Sequence, residues 1–290
     1  MTSTQPSTVF PIDEIDGSDK VLFGGKGAGL ARMTAAGLSV PPAFVISTDG
    51  FRLWNGHSGR GLPASLDSEI TQALADLERR VRRRFADSDG LPLLVSVRSG
   101  AEISMPGMMD TVLNVGITGA SAAALADATG RPGFAVDTLV RFWRMYAEIV
   151  LYDELPESAL LSAAATQARC HPGLGPFHAL EDALVAALAA RGHDIPSNAV
   201  DRLRATVLAV FESWNNRRAK TYRRHQGIPD DLGTAVVVQA MVFGNLDEQS
   251  GSGVAFSRDP NTGAPTLYGE YLAGRQGEDI VSGTETPVAL

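Results

Sequence analysis

The sequence predicts an α+β fold, on three observations. Short apolar runs of strand character lie at 41–48, 93–98 and 111–116 and return at 234–279. Between them, residues 120–195 are rich in alanine and leucine and read as mostly helical. The order is strand-rich, then helical, then strand-rich, without the regular alternation of a doubly wound sheet.

The elements follow in chain order. Residues 1–19 read as a loose leader with short turns. "KVLFGGKGAGLARMTAAGL" runs from a short apolar piece through glycines into a helix. Leu30, Met33 and Gly37 have helical spacing there, and Gly37 suits a stop. "PPAFVIST" follows as a strand. Leu66, Ile70, Leu74, Leu77, Val81 and Phe85 fall three or four apart and predict a helix over 66–86. The arginines at 79, 80, 82, 83 and 84 surround that stripe; a solvated face is the stronger reading and nucleic-acid binding the weaker. Leu139, Phe142, Trp143, Tyr146 and Val150 form a core stripe. Residues 197–226 read as one long helix with Val200, Leu203, Val207, Val210, Phe211 and Trp214 inward. "TAVVVQAMVFG", 234–244, is a strand. Glycine-punctuated strands at 250–263 and 264–279 follow, with "DPNTG" as a hairpin turn. No partner strand is visible after them.

Composition narrows the function classes. The 290 residues are 44% hydrophobic and 20% charged, enough for more than one compact unit. A net charge of −8 and a pI near 5.2 argue against a surface that coats nucleic acid. One cysteine, Cys170, rules out an internal disulfide, and with five scattered histidines it argues against structural zinc. The first residues lack a basic region followed by an apolar core, and no apolar run nears the roughly 20 residues that cross a bilayer. A cytoplasmic location without membrane partners is expected.

Three regions carry candidate chemistry. "GGKGAGL", 24–30, surrounds Lys26 with glycines whose backbone N–H groups suit phosphate, though the Walker spacing is absent and a flexible turn into a helix is an equal reading. Arg98 ends a strand and offers a planar fork for phosphate oxygens. The loop after it supplies Ser99, Gly100, Ser104, Gly107 and Thr111, with Met108 and Met109 as lining for a mobile lid; a surface arginine before a wide hairpin is the plain alternative. Two phosphate-type features, at 26 and 98, together favour a polyphosphate ligand. In the third region Glu270, Glu278 and Asp279 suit a metal–nucleotide complex, against a stronger reading as turn chemistry.

Five stretches, in order, resemble the nucleotide-binding domain of pyruvate phosphate dikinase. They are "GGKGAGLARMTAAGLSVPPAFVIST", "VSVRSGAEISMPGMMDTVLNVG", "RFWRMYAEIV", "FESWNNRRAKTYRRHQGIPDDLGTAVVVQAMVFGN" and "SGSGVAFSRDPNTGAPTLYGEYLAGRQGEDIVSGTETP". The helical middle, about 155–195, carries no such match. "SMPGMMDT" points to the dikinase rather than to its relative, phosphoenolpyruvate synthase.

The resemblance implies an ATP-grasp-like domain with a helical insert and an incomplete C-terminal subdomain. Its expected parts are an N-terminal subdomain at 1–117, the insert at 118–200, a return at 201–248 and a partial C-terminal subdomain at 249–290. Lys26 and Arg98 match the family's triphosphate-binding lysine and arginine. Gly25 and Gly27 flank the lysine. Loop 100–111, including Met108 and Asp110, matches a phosphate loop. "QAMV" places Gln239, Met241 and Val242 at the adenine side, and Glu278 joins the binding set. The implied cofactor is ATP with Mg²⁺, the metal ligands lying beyond residue 290. In the family, ATP phosphorylates a histidine on a swivelling domain, and that phosphate passes to pyruvate on a barrel. His57, His171, His178, His193 and His225 all lie outside the T-S-H-A-like carrier motif. The resemblance therefore implies a fragment or a truncated relative, with the carrier and pyruvate domains elsewhere and a homodimer as an open assembly. The chain alone is expected not to complete the reaction. A nucleotide-binding module without catalysis, acting through a partner chain, is the alternative.

Overall fold

The computed structural model describes residues 6–59, 61–281 and 286–290, and of Val281 the backbone alone. The chain is α+β and divides into two compact units, Met1–Met241 and Val242–Leu290. Among the described residues no helix is long and apolar enough to cross a membrane.

The first unit holds β1 (Val9–Pro11), α1 (Lys20–Ala35), β2 (Ala43–Ile46), α2 (Thr48–Asn55), α3 (Ala64–Val81), β3 (Val95–Gly100) and β4 (Thr111–Val115). Then come α4 (Gly119–Thr129), α5 (Pro132–Val150), α6 (Ala159–Cys170), α7 (Leu174–Ala189), α8 (Ala199–Ser213), α9 (Arg217–Gln226) and β5 (Ala235–Ala240). The five strands form an antiparallel sheet in the order β1-β2-β5-β3-β4. Every residue of β5, the central strand, is buried. Ala235 and Val237 face Phe23 of α1 and join Val45 and Ile12 in one apolar cluster. By strand alternation, Val236 and Val238 face the opposite side. Phe51 of α2 meets Phe211 of α8 edge to face at 5.5 Å, beside Trp54 and Trp214.

Several boundaries differ from the sequence reading. Helix α1 starts at Lys20, before the glycines, with Asp19 capping it through Leu22 N at 2.9 Å. Gly24 (φ 67°, ψ 167°) breaks it, and residues 25–30, read as a loop, are helical. Helix α3 ends at Val81 because Arg82 takes the left-handed conformation, so Phe85 falls outside the helix and bridges to Leu93. The long helix over 197–226 is two helices, because Asn216 starts a new one by accepting from Ala219 N at 2.7 Å. Part of the leader is structured. β1 pairs with β2, and the Glu69 carboxylate accepts from the N–H groups of Thr8 and Val9; residues 1–5 lie outside the described residues.

The second unit holds β6 (Gly251–Phe256), β7 (Tyr268–Ala273), the short α10 (Gly277–Val281) and β8 (Val288–Ala289). The strands form an antiparallel sheet in that order, so β7 does gain a short partner after it. The Asp259 carboxylate caps the "DPNTG" turn by accepting from Asn261 N at 2.7 Å.

Candidate functional site

The site is built on one close approach. Gly24 and Gly100 lie so near that a side-chain carbon on Gly24 would sit 1.5 Å from the Gly100 carbonyl oxygen. Only glycine satisfies both that contact and the positive φ. The Gly25 N–H donates to the Ala101 carbonyl at 2.8 Å, which ties the restarted helix to the loop and satisfies a donor that the break leaves open. Lys26 follows one residue on, at the head of the straight part of α1.

Lys26 Nζ donates to the Ser99 carbonyl at 2.7 Å. The residue as a whole is exposed, yet its ammonium head is packed against this strand end. Loss of water there, with the Arg98 charge nearby, lowers its pKa from 10.5 to about 8. Arg98 is also held below its ordinary value by burial. Its Nη2 donates to Gln239 Oε1, and its buried Nε has no partner among the described residues. Two cations thus stand close together, and no carboxylate figures among the groups that shift either one.

An open cleft of about 490 Å³ adjoins them, lined in part by Gly25, Lys26, Ser99, Gly100, Ser104 and Gly107. Arg98 is not itself in that lining. Lys20 and Arg32 also line it, and sequence reasoning missed them; Glu102 and Met105 line it too, within the predicted loop 100–111 but not singled out there. The register of α1 explains Arg32, but only once the helix is known to begin at Lys20. Other clefts lie at the end of α3 (about 520 Å³), among α5–α7 (about 370 Å³) and between β1 and α3 (about 150 Å³). Among the described residues, the cleft beside Lys26 and Arg98 sets two neighbouring cations against glycine backbone, and this chemistry rather than its size marks it as the site.

The loop 100–111 is shaped by Met105-Pro106-Gly107-Met108. Proline at the second turn position, Gly107 at φ 71° and the Met108 N–H donating to the Met105 carbonyl at 3.1 Å form a tight turn. Met105 is buried and anchors it. The far half of the loop is tied to the α8–α9 junction. Asn216 Nδ2 donates to the Met108 carbonyl at 3.4 Å, and Arg218 pairs with Asp110 at 2.7 Å. Burial pushes the Asp110 carboxyl up, and Arg218 opposes the shift. The fully buried Arg223 lies 4.0 Å over the Trp214 ring and donates to Asp230 and to the Trp214 carbonyl.

The other predicted residues fall in different places. Thr111 faces Arg98 across the ladder. Gly27 turns inward, where an added carbon would meet Val45 at 3.2 Å. Gln239 is buried on β5, and Met241 donates its N–H to the Leu94 carbonyl. Val242 and Glu278 belong to the second unit and are exposed. Among the described residues no three of His, Cys, Asp and Glu converge as a cation site. The residues present do not make a Mg²⁺ cage.

Residues 57–289 match the family described as "Pyruvate phosphate dikinase, AMP/ATP-binding domain". Lys26 lies before that match and Arg98 within it. Among the relatives, "Pyruvate, phosphate dikinase" of Clostridium symbiosum is 41% identical over 288 residues, covering 96% of this chain and 32% of the relative. "Pyruvate, phosphate dikinase 1, chloroplastic" of Zea mays is 44% identical over 280 residues, covering 93% and 29%. The protein of Rhizobium meliloti (strain 1021) is 41% identical over 286 residues, covering 96% and 32%. The chain thus spans about a third of the length of these relatives.

Proposed function

The chain belongs to the pyruvate phosphate dikinase family through its AMP/ATP-binding domain, and on that premise we propose that it binds ATP with the phosphates between α1 and loop 100–111. The observation that carries this reading is the pairing of Lys26 and Arg98, two neighbouring cations with no carboxylate among the groups that shift either one, beside glycine backbone at an open cleft that Glu102 also lines. Two like charges held close together, each partly shielded from water, raise the energy of the empty site. An anion between them relieves both the repulsion and the lost hydration.

In this reading Lys26 and Arg98 neutralise charge on the transferring phosphoryl group. The N–H groups around Gly100 and Gly107, with the hydroxyls of Ser104 and Thr111, hold phosphate oxygens, while Gly25, its N–H taken by the Ala101 carbonyl, and the inward Gly27 shape the backbone that carries Lys26. The arrangement is ATP-grasp-like, with Met241 on the nucleoside side. Mg²⁺ would accompany the triphosphate, and since the described residues supply no cage, no step here runs through it. The phosphoryl acceptor is a histidine on another domain, and pyruvate binds on a third. The relatives are about three times as long as the part that this chain matches, which leaves room for both.

Calorimetric titration with ATP and adenosine tests the reading. Arg98→Ala removes a charge-assisted hydrogen bond worth about 1.5–3 kcal/mol. It should weaken ATP by about tenfold to a hundredfold and leave adenosine unchanged. Arg98→Lys keeps the charge without the fork and should fall between. A folded Arg98→Ala protein with full ATP affinity overturns the reading.

A further inference from the structure

We infer that Gln239 is a positioning residue that fixes the Arg98 guanidinium beside the cleft. The inference rests on the phosphate reading of Arg98 and gives that residue its orientation.

The sheet register puts the two side chains together. Arg98 of β3 lies opposite Val237 of β5, and Ser96 lies opposite Gln239. Gln239 is therefore the diagonal neighbour of Arg98 on the face that α1 covers, within reach of a long side chain. Its amide has a partner at each end. Oε1 accepts from Arg98 Nη2, and Nε2 donates to the Pro41 carbonyl at 2.9 Å. The chemistry fixes which end is which. A guanidinium only donates and a carbonyl only accepts, so one group must present an acceptor to Arg98 and a donor to Pro41. Glutamine does both. Glutamate would set a carboxylate oxygen against the Pro41 carbonyl, and methionine would fill the space with neither contact.

Pro41 is itself held. The Ala240 N–H donates to the neighbouring Pro42 carbonyl at 3.0 Å, and β2 pairs with β5 directly after it. The support thus runs from the β2 entry through the Gln239 amide to Arg98. Gln239 is 7% exposed, so both its contacts are sheltered from water. Among the described residues Arg98 donates no other side-chain hydrogen bond, and its Nε has no partner. Among the described residues Gln239 is the side chain that holds one arm of the fork, which leaves Nη1 for an anion, while Nε is buried. A phosphate-binding arginine aimed before the ligand arrives loses less rotamer freedom on binding.

The test is a double-mutant cycle on the 290-residue chain, read by calorimetric titration with ATP and with adenosine, beside thermal melts. Gln239→Met should weaken ATP by about three- to tenfold, below the full worth of a charge-assisted hydrogen bond because Arg98 keeps its charge and loses only its aim, and leave adenosine within about twofold. In an Arg98→Ala background the same substitution should cost ATP nothing further. Gln239→Glu keeps a contact to Arg98 but cancels its charge. It should lose at least as much ATP affinity as Gln239→Met, again sparing adenosine, and it carries the test if the methionine variant does not fold. Equal losses for ATP and adenosine in both backgrounds mean that Gln239 touches the base and overturn the inference. So does an ATP loss that simply adds to that of Arg98→Ala. If Arg98→Ala leaves ATP affinity intact, the phosphate reading itself fails and the positioning role with it.

Discussion

Two glycine-rich stretches, 24–29 in α1 and 251–253 in β6, look alike in sequence and act differently. At Gly24 an added side-chain carbon would strike backbone, the Gly100 carbonyl oxygen at 1.5 Å. At Gly251 it would strike the hydroxyl end of Tyr271 at 2.1 Å, and a ring tip can swing away. The first glycine joins two main chains, and those chains carry Lys26 on one side and Ser99 on the other. The second makes room for an aromatic ring lying over a neighbouring strand, an ordinary device in small sheets. A glycine therefore points to a site when what it admits is another backbone.

The largest effect should come from Gly24→Ala. The substitution meets both the positive φ and an immovable oxygen, so stability is expected to fall by about 3 kcal/mol or more. ATP binding should be lost even at temperatures where the protein remains folded. Melts and titrations read both, and a neutral Gly24→Ala would break the comparison.

Charge sharpens it next. Lys26 is held at about 8 against 10.5 in an unfolded chain. Between those values the unfolded chain binds more protons, so stability rises with pH across that window. Anion binding runs the other way, because it needs the ammonium. At pH 9 about a tenth of Lys26 is protonated, so ATP affinity should drop by up to about tenfold from its value at pH 7. Lys26→Met should flatten that profile. A profile unchanged by Lys26→Met would place the titration elsewhere.

The smallest effect belongs to Gly251→Ala, where φ is ordinary and the obstruction is mobile. A loss under about 1 kcal/mol is expected, with ATP affinity unaltered. A loss above that of Gly24→Ala would reverse the comparison.

The legible parts of the chain were those governed by local pattern. The stripe Leu66–Leu77 buries as its spacing predicts, and Arg98 sits on a strand whose apolar neighbours announce it. The glycine stretch misled because glycine disfavours helix locally, whereas the Gly25 hydrogen bond to Ala101 and the packing of Phe23 with Val45 hold α1 in place there. The break at Trp214–Asn216 was hidden by an apolar run that continues to Trp214, although Asn216 is a recognisable helix start. The bond between Gln239 and Arg98 had no local signal at all. Glutamine on a buried strand shows only that a partner is needed, and the partner is set by strand order.

That strand order also decides when the site comes into being. Arg98 and Gln239 are 141 residues apart, with four helices, α4 to α7, threaded between β4 and α8. As the chain emerges from the ribosome, β3 and β4 can close a hairpin early and the helices can pack on near neighbours. The central gap of the sheet stays open until β5 arrives. Contacts this distant form late and slowly. Until then Arg98 stands on an unfinished sheet edge with nothing to aim it, so the cation pair is among the last features of the first unit to be assembled.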